Sequence, residues 1–292
     1  MAFRKSVLPL QGFPVRVYGP VGTCIYCGAL TRYQSGGRLT DEHAIPLALE
    51  GQLILREASC ESCRIITHSF ETRLLKGILY AVRLKLDLKG RKRHKQQKPK
   101  AINLIAVNGD ESRTESVLIE DHPGTFILPL FPPCLRLREP DDSDKFQYVS
   151  MVVDPSAFAR LAKRGITSFH TPTFSLPDMC RFLAKIAHCY AVADLGLDIF
   201  TPTLTDLILG HSEEYAELIG GPKYQPTAGS HSLWELHHAF PFRDGKPVLV
   251  TRFRIFGAWD APAYEIVAGE FPGGPVQLHY APSIGDAPPP NT

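Results

Sequence analysis

A chain of 292 residues with 44% hydrophobic content is long enough for one large cored domain or two ordinary ones, and its seven cysteines exclude a small disulfide-stapled scaffold. No apolar run approaches the ~20 residues that cross a bilayer, and residues 1–10 are too short in apolar content for a secretory signal, so a soluble cytoplasmic protein without a membrane partner is expected. The net charge of +2 conceals an asymmetry, because residues 1–100 hold 18 Lys and Arg against 7 Asp and Glu while residues 101–292 hold 14 against 23.

In chain order, Pro9, Gly12, Pro14 and Pro20 break any early helix, and Val15-Arg16-Val17-Tyr18 alternates as a short strand. Cys24-Ile25-Tyr26-Cys27 is a C-x2-C knuckle that turns at Gly28. Arg38-Leu39-Thr40 is expected as a strand running into Asp41-Glu42-His43 and ending at Pro46. Leu53-Ile54-Leu55 supplies its hairpin partner, connected through Gly51. The second knuckle, Cys60-Glu61-Ser62-Cys63, lies 32 residues beyond the first. Ile66, Phe70, Leu74, Ile78 and Val82 then recur at four-residue steps, predicting one helix over about 62–86 whose apolar stripe packs on the hairpin.

The basic run 89–100 has no apolar face and reads as an exposed linker. Beyond it, 102–107 and 116–119 read as strands around Asn108-Gly109, and 126–128 and 148–153 as two more. Helices are expected over 155–165, 177–196 and 205–219, each bounded by glycine or proline. Two further strands, 233–236 and 247–256, flank Asp244-Gly245, and 263–271 adds another. The resulting fold class is α+β, divided as 1–90, a basic linker 91–100, an α+β domain 101–284 and a disordered tail 285–292. Cys134, Cys180 and Cys189 read as ordinary buried thiols, and His237 and His238, adjacent on a strand, face opposite ways.

Two C-x2-C pairs supply four thiolates, the ligand set of a tetrahedral structural Zn²⁺ held by Cys24, Cys27, Cys60 and Cys63. Such a metal would staple a hairpin and helix too small to hold themselves together. With Asp41-Glu42-His43-Ala44-Ile45-Pro46 set between the knuckles, residues 22–90 resemble the zinc-bearing, treble-clef-like members of the HNH, or ββα-metal, endonucleases. The resemblance implies a metal-dependent endonuclease with His43 as general base and one divalent cation, Mg²⁺ or Mn²⁺, held by the acidic residue and a ligand on the helix. It implies 5′-phosphate and 3′-hydroxyl ends.

The chemistry has its own logic. Phosphodiester cleavage needs an activated water, a cation against the developing charge, and cationic side chains to orient the strand. Glu42 is the first metal-ligand candidate and Asp41 the reserve, since Asp41 would share a strand face with His43. Arg64 stands where zinc-bearing relatives commonly carry an Asn, and His68 and Glu71, on the same helical face, are the replacements. Double-stranded DNA is the expected partner, contacted by Arg64, Arg73, Lys76, Arg83, Lys85, Arg91, Lys92, Arg93 and Lys95. The alternative is a zinc-dependent nucleic-acid-binding protein that does not cut. The acidic second half is expected to meet a protein partner or a second copy, or to recognise a small ligand.

Overall fold

Alternating side chains on short segments build the N-terminal sheet. β1 (Arg16–Pro20), β2 (Thr40–His43) and β3 (Leu53–Ser59) lie in the order β1-β3-β2, with β2 antiparallel and β1 parallel to β3. The structure, a computed structural model, describes residues 15–30, 38–88, 101–108, 110–226 and 232–272. A bulge between Thr40 and Glu42 is absorbed on β3 around Glu57, whose φ is +48°. At Gly51 the hairpin connection runs hard against Ile45, where a Cβ would sit 1.8 Å from the Ile45 carbonyl oxygen. Gly51→Ala is therefore expected to cost about 1–3 kcal/mol in a urea unfolding curve, the range of an overpacked site. An unchanged midpoint would contradict this close approach.

The helix expected over 62–86 is two helices, α1 (Glu61–Lys76) and α2 (Tyr80–Lys85). Gly77 separates them with φ −92° and ψ −114°, and a Cβ there would meet the Arg73 carbonyl oxygen at 2.7 Å. The bend keeps Ile78, Leu79 and Val82 in the core that Phe70 and Leu74 enter from α1. β4 (Ala101–Asn108) and β5 (Glu111–Leu118) form the expected hairpin, and β6 (Thr125–Leu130) pairs with β7 (Gln147–Val152). After α3 (Ala157–Lys163), β8 (Ser168–His170) joins β4. Leu104, Ala106, Val117, Leu161 and Ile166 make a small separate core there.

α4 (Leu176–Leu195) is the centre of the molecule. The Ser175 hydroxyl accepts from the Asp178 N–H at 3.3 Å, Pro177 lies in the first turn, and Gly196 ends the helix at φ +83°. Almost every residue from Asp178 to Val192 is buried, so the helix packs all round rather than along one stripe. It touches α1 and β3 on one side and the C-terminal sheet on the other. That sheet is built from β9 (Thr201–Pro202), β10 (Ile219–Gly220), β11 (Trp234–Ala239), β12 (Phe242–Arg243), β13 (Lys246–Ile255) and β14 (Ala263–Glu270), with the main order β10-β14-β13-β11. Asp244 and Gly245, at φ +50° and +73°, close β12 onto β13 as a type I′ turn. Before β10, the helix expected over 205–219 is interrupted at Gly210, φ +82°, into α5 (Thr205–Leu209) and α6 (Tyr215–Leu218).

The α+β class stands, but the two halves share one core. It runs from Ile45, Leu55 and Phe70 through Phe182 and Ile186 of α4 to Phe253, Ile266 and Phe271. The linker at 91–100 and the tail at 285–292 lie outside the described residues. Among the described residues no helix is long and apolar enough to cross a membrane.

Candidate metal centre and buried ion cluster

The first knuckle is a tight turn in which the Gly28 N–H donates to the Cys24 carbonyl at 2.9 Å and the Cys24 N–H to that of Ala29 at 2.6 Å. Gly28 takes the positive φ, +73°, that this return requires. The second knuckle is the start of α1, where Cys60 is the N-cap and Cys63 lies in the first turn, its N–H 3.5 Å from Cys60 Sγ. All four sulfurs lie within 4.8 Å of one another, and Cys27 and Cys60 are 3.7 Å apart. A tetrahedral ZnS₄ centre with Zn–S of ~2.3 Å has S–S edges of ~3.8 Å, so the four sulfurs stand within about 1 Å of the spacing zinc requires. A hydrogen bond with Cys63 is the main cause that lowers the Cys24 thiol to about 4, and the same contact pushes Cys63 up. The positive end of α1 further favours anionic sulfur. Four cysteines positioned to bind a structural zinc are thus in place.

α4 reaches this unit with a polar face. Lys185, His188 and Cys189, at i, i+3 and i+4, share it. The Lys185 ammonium lies 2.8 Å from Glu42 Oε1 and 2.9 Å from Glu71 Oε1. It also donates to the His43 carbonyl oxygen and stands 3.4 Å from that of Ala44. The three side chains are only 1%, 8% and 13% exposed, so the contacts lie in a low-dielectric interior. Burial works to deprotonate Lys185, but the charges of Glu42 and Glu71 outweigh it and keep the ammonium charged. Burial also raises the Glu71 pKa, ahead of the opposing pull of Lys185. Two carboxylates on one ammonium leave a formal charge of −1, and a raised Glu71 pKa moves the cluster towards neutrality.

Further contacts fix the same interface. His188 Nε2 lies 2.7 Å from the Ile25 carbonyl oxygen, and burial pushes its pKa down to about 4, so a neutral imidazole donates to the knuckle backbone. Tyr26 Oη is 3.2 Å from Cys189 Sγ. Arg73 grips Asp178 bidentately at 2.6 and 2.7 Å, and the Arg181 guanidinium lies 5.0 Å from the Phe70 ring centroid.

Of the residues singled out from sequence, the fold brings together Glu42, Glu71 and the His43 main chain. Strand alternation turns Glu42 inward, leaving Asp41 exposed with its Oδ1 accepting from the Glu57 N–H at 3.2 Å, and His43 half-buried at the strand end. His68 is exposed, its Nε2 3.3 Å from Thr72 Oγ1, and it is Glu71 that meets Glu42 at the ammonium. Arg64 holds Glu61 through two contacts of 2.5 and 2.8 Å. Lys76 is exposed in the last turn of α1.

Three basic residues expected on the nucleic-acid face have internal partners. Arg73 is tied to Asp178, and Arg83 donates to the Ala48 and Leu75 carbonyls at 2.9 and 2.7 Å. Lys85 pairs with Asp154 at 2.8 Å and donates to the Glu120 carbonyl at 2.6 Å. Arg83 and Lys85 turn back onto the chain, whereas Arg73, 54% exposed, is held at the surface by its pairing with α4. Arg91, Lys92, Arg93 and Lys95 lie outside the described residues.

Sequence reasoning missed Lys185 and His188, although a lysine and a histidine inside the otherwise apolar run Phe182 to Ala193 were a visible signal. Two adjoining cavities, about 590 and 230 Å³, open beside the C-terminal sheet and share Pro222, Tyr224, Arg252 and Glu265. Some of their charges pair within the walls, Arg252 with Glu265 at 2.7 Å and Lys223 with Asp142 at 2.9 Å, while Glu235 Oε1 in the smaller cavity is buried without a hydrogen-bond partner among the described residues. No family model, curated protein or solved structure matches this chain.

Proposed function

We propose that the zinc-stapled N-terminal unit is a metal-dependent nucleic-acid endonuclease of the HNH type, with DNA as its expected substrate. One observation carries the reading: a carboxylate from β2 and a carboxylate from α1 converge on a single cation position beside the His43 main chain. The resemblance of the sequence between the knuckles calls for such a meeting of strand and helix. Glu42 and Glu71 are the residues that would hold a divalent ion, which when bound neutralises charge on the phosphate and on the departing 3′ oxygen.

The chain's own groups do the rest. His43, following the inward Glu42 on the strand, accepts the proton of the attacking water. The cysteine cluster ties the start of α1 to the first knuckle, keeping β2 and α1 at a constant separation. Lys76 is exposed for contact with the phosphate backbone, and Arg64, partly exposed, would join it by leaving Glu61; such contacts bind without reading sequence.

A second reading, a zinc-dependent nucleic-acid-binding protein that does not cut, is favoured by Lys185, whose ammonium already pairs with both carboxylates. One assay separates the two. With Mg²⁺ or Mn²⁺ the full chain should nick or linearise plasmid DNA, and His43→Ala should lower the rate by about 10²–10⁴ while retaining its zinc. Equal cutting by His43→Ala would remove His43 from the mechanism. DNA binding that weakens steeply with salt, without cleavage in either metal, would establish the second reading.

A further inference from the structure

We propose that Glu42 and Glu71 form a cation site whose resident cation is Lys185, so that a divalent ion and the Lys185 ammonium are alternative occupants of one position. The link to catalysis rests on the endonuclease reading, but the site itself does not.

The donor set is the first argument. Around the ammonium stand two carboxylates from different elements and the carbonyl oxygens of His43 and Ala44. An all-oxygen set of this kind suits hard cations such as Mg²⁺, Mn²⁺ and Ca²⁺. Charge is the second, since two carboxylates match one divalent ion, whereas one ammonium leaves a formal −1 in a nearly closed interior. The third is exclusion. An ammonium at 2.8 and 2.9 Å from the two oxygens fills the space that an ion would need, and like charges this close repel strongly in a low dielectric.

Lys185 comes from α4, in the other half of the chain, on a flexible four-carbon stem. Metal entry at the acid pair is therefore opposed by the Lys185 ammonium, and return of the ammonium is opposed by metal. With Lys185 in place the C-terminal half holds the acid pair closed.

The test uses the full zinc-loaded chain and Lys185→Met, which keeps an unbranched apolar stem and removes the charge. Without added metal the variant should melt lower than wild type, because two buried carboxylates lose their partner. Mn²⁺ should restore its melting temperature, whereas sodium chloride of equal ionic strength should not. By titration calorimetry, Lys185→Met should bind Mn²⁺ at least about tenfold more tightly than wild type. Adding Glu42→Gln and Glu71→Gln should erase that gain.

No gain in Mn²⁺ affinity, or a gain that survives the loss of both carboxylates, would overturn the proposal. If Lys185→Met does not fold without metal, refolding in Mn²⁺ or Ca²⁺ decides: recovery supports the site, and failure in both ions, shared by Lys185→Gln, overturns it. Mn²⁺ binding by Lys185→Met in a protein that never cuts DNA would sink the endonuclease reading alone. Cutting by wild type with no gain in the variant would sink the exchange alone.

Discussion

Stripping metal from Cys24, Cys27, Cys60 and Cys63 is expected to unfold the N-terminal hairpin and release the first turn of α1. The knuckles belong to separate stretches of chain, and the described residues between them form the short strands β2 and β3 and one 3-10 turn at Leu47–Leu49. Structural zinc in small modules is worth ~10–16 kcal/mol of apparent binding energy at neutral pH, as much as the ~5–15 kcal/mol by which whole domains are stable. Cys60→Ala should be the most damaging single change, because it removes a ligand and the side-chain acceptor of the α1 N-cap together. Elemental analysis should find one zinc per wild-type chain and none in the variant. The damage should also travel, since His188 and Cys189 of α4 rest on Ile25 and Tyr26 of the first knuckle. Amide exchange is therefore expected to rise over residues 16–30 and 53–76 and along α4. A zinc-free chain with unchanged exchange and melting would refute the staple.

Features set by near neighbours were legible in the sequence, and features set by distant ones were not. The knuckles, the β2–β3 pair, the β4–β5 hairpin and the bounds of α4 follow from spacing, alternation and the punctuation by Pro177 and Gly196. The bend at Gly77 is hidden because an apolar repeat at helical spacing continues across it from Leu74 to Ile78, whereas Gly210 opens the polar stretch 210–214, a visible break. The choice between His68 and Glu71 could not be made from α1 alone, since both lie on the Arg64 face. Which of the two meets Glu42 depends on Lys185, which is 114 residues from Glu71 in sequence and reaches it only because α4 packs there. The basic residues tell the same story. Charge counting marks Arg73 and Lys85 as contacts for a polyanion, and only the fold reveals Asp178 and Asp154 as their partners.

Acid is expected to destabilise the protein between about pH 6.5 and pH 4, through histidines that the fold keeps neutral. His122, His188 and His238 each have a pKa lowered to about 4, with burial the largest cause in every case. In the unfolded chain these groups titrate near ~6.5. As pH falls through that value the unfolded state takes up protons that the native state refuses, so stability declines until the native groups also protonate near pH 4. A depression of this size corresponds to roughly 3 kcal/mol for each histidine, as an order of magnitude before local relaxation. Glu71 works the other way, because its raised pKa lets the native state take up a proton as the pH falls. Asp178, lowered by Arg73, adds its loss only at still lower pH. Urea unfolding at a series of pH values should therefore show a fall of several kcal/mol across this window. His238 offers a direct check, since its ring lies 4.3 Å from that of Tyr190, nearly parallel, with Asp194 Oδ2 3.7 Å from its Nε2. His238→Phe keeps an aromatic ring on Tyr190 and gives up the 3.3 Å contact with Thr251 Oγ1. Its profile should be flatter than wild type by up to about 3 kcal/mol over the same window. Parallel profiles would mean that His238 is protonated in the native protein after all, and that its burial is relieved by water reaching the ring.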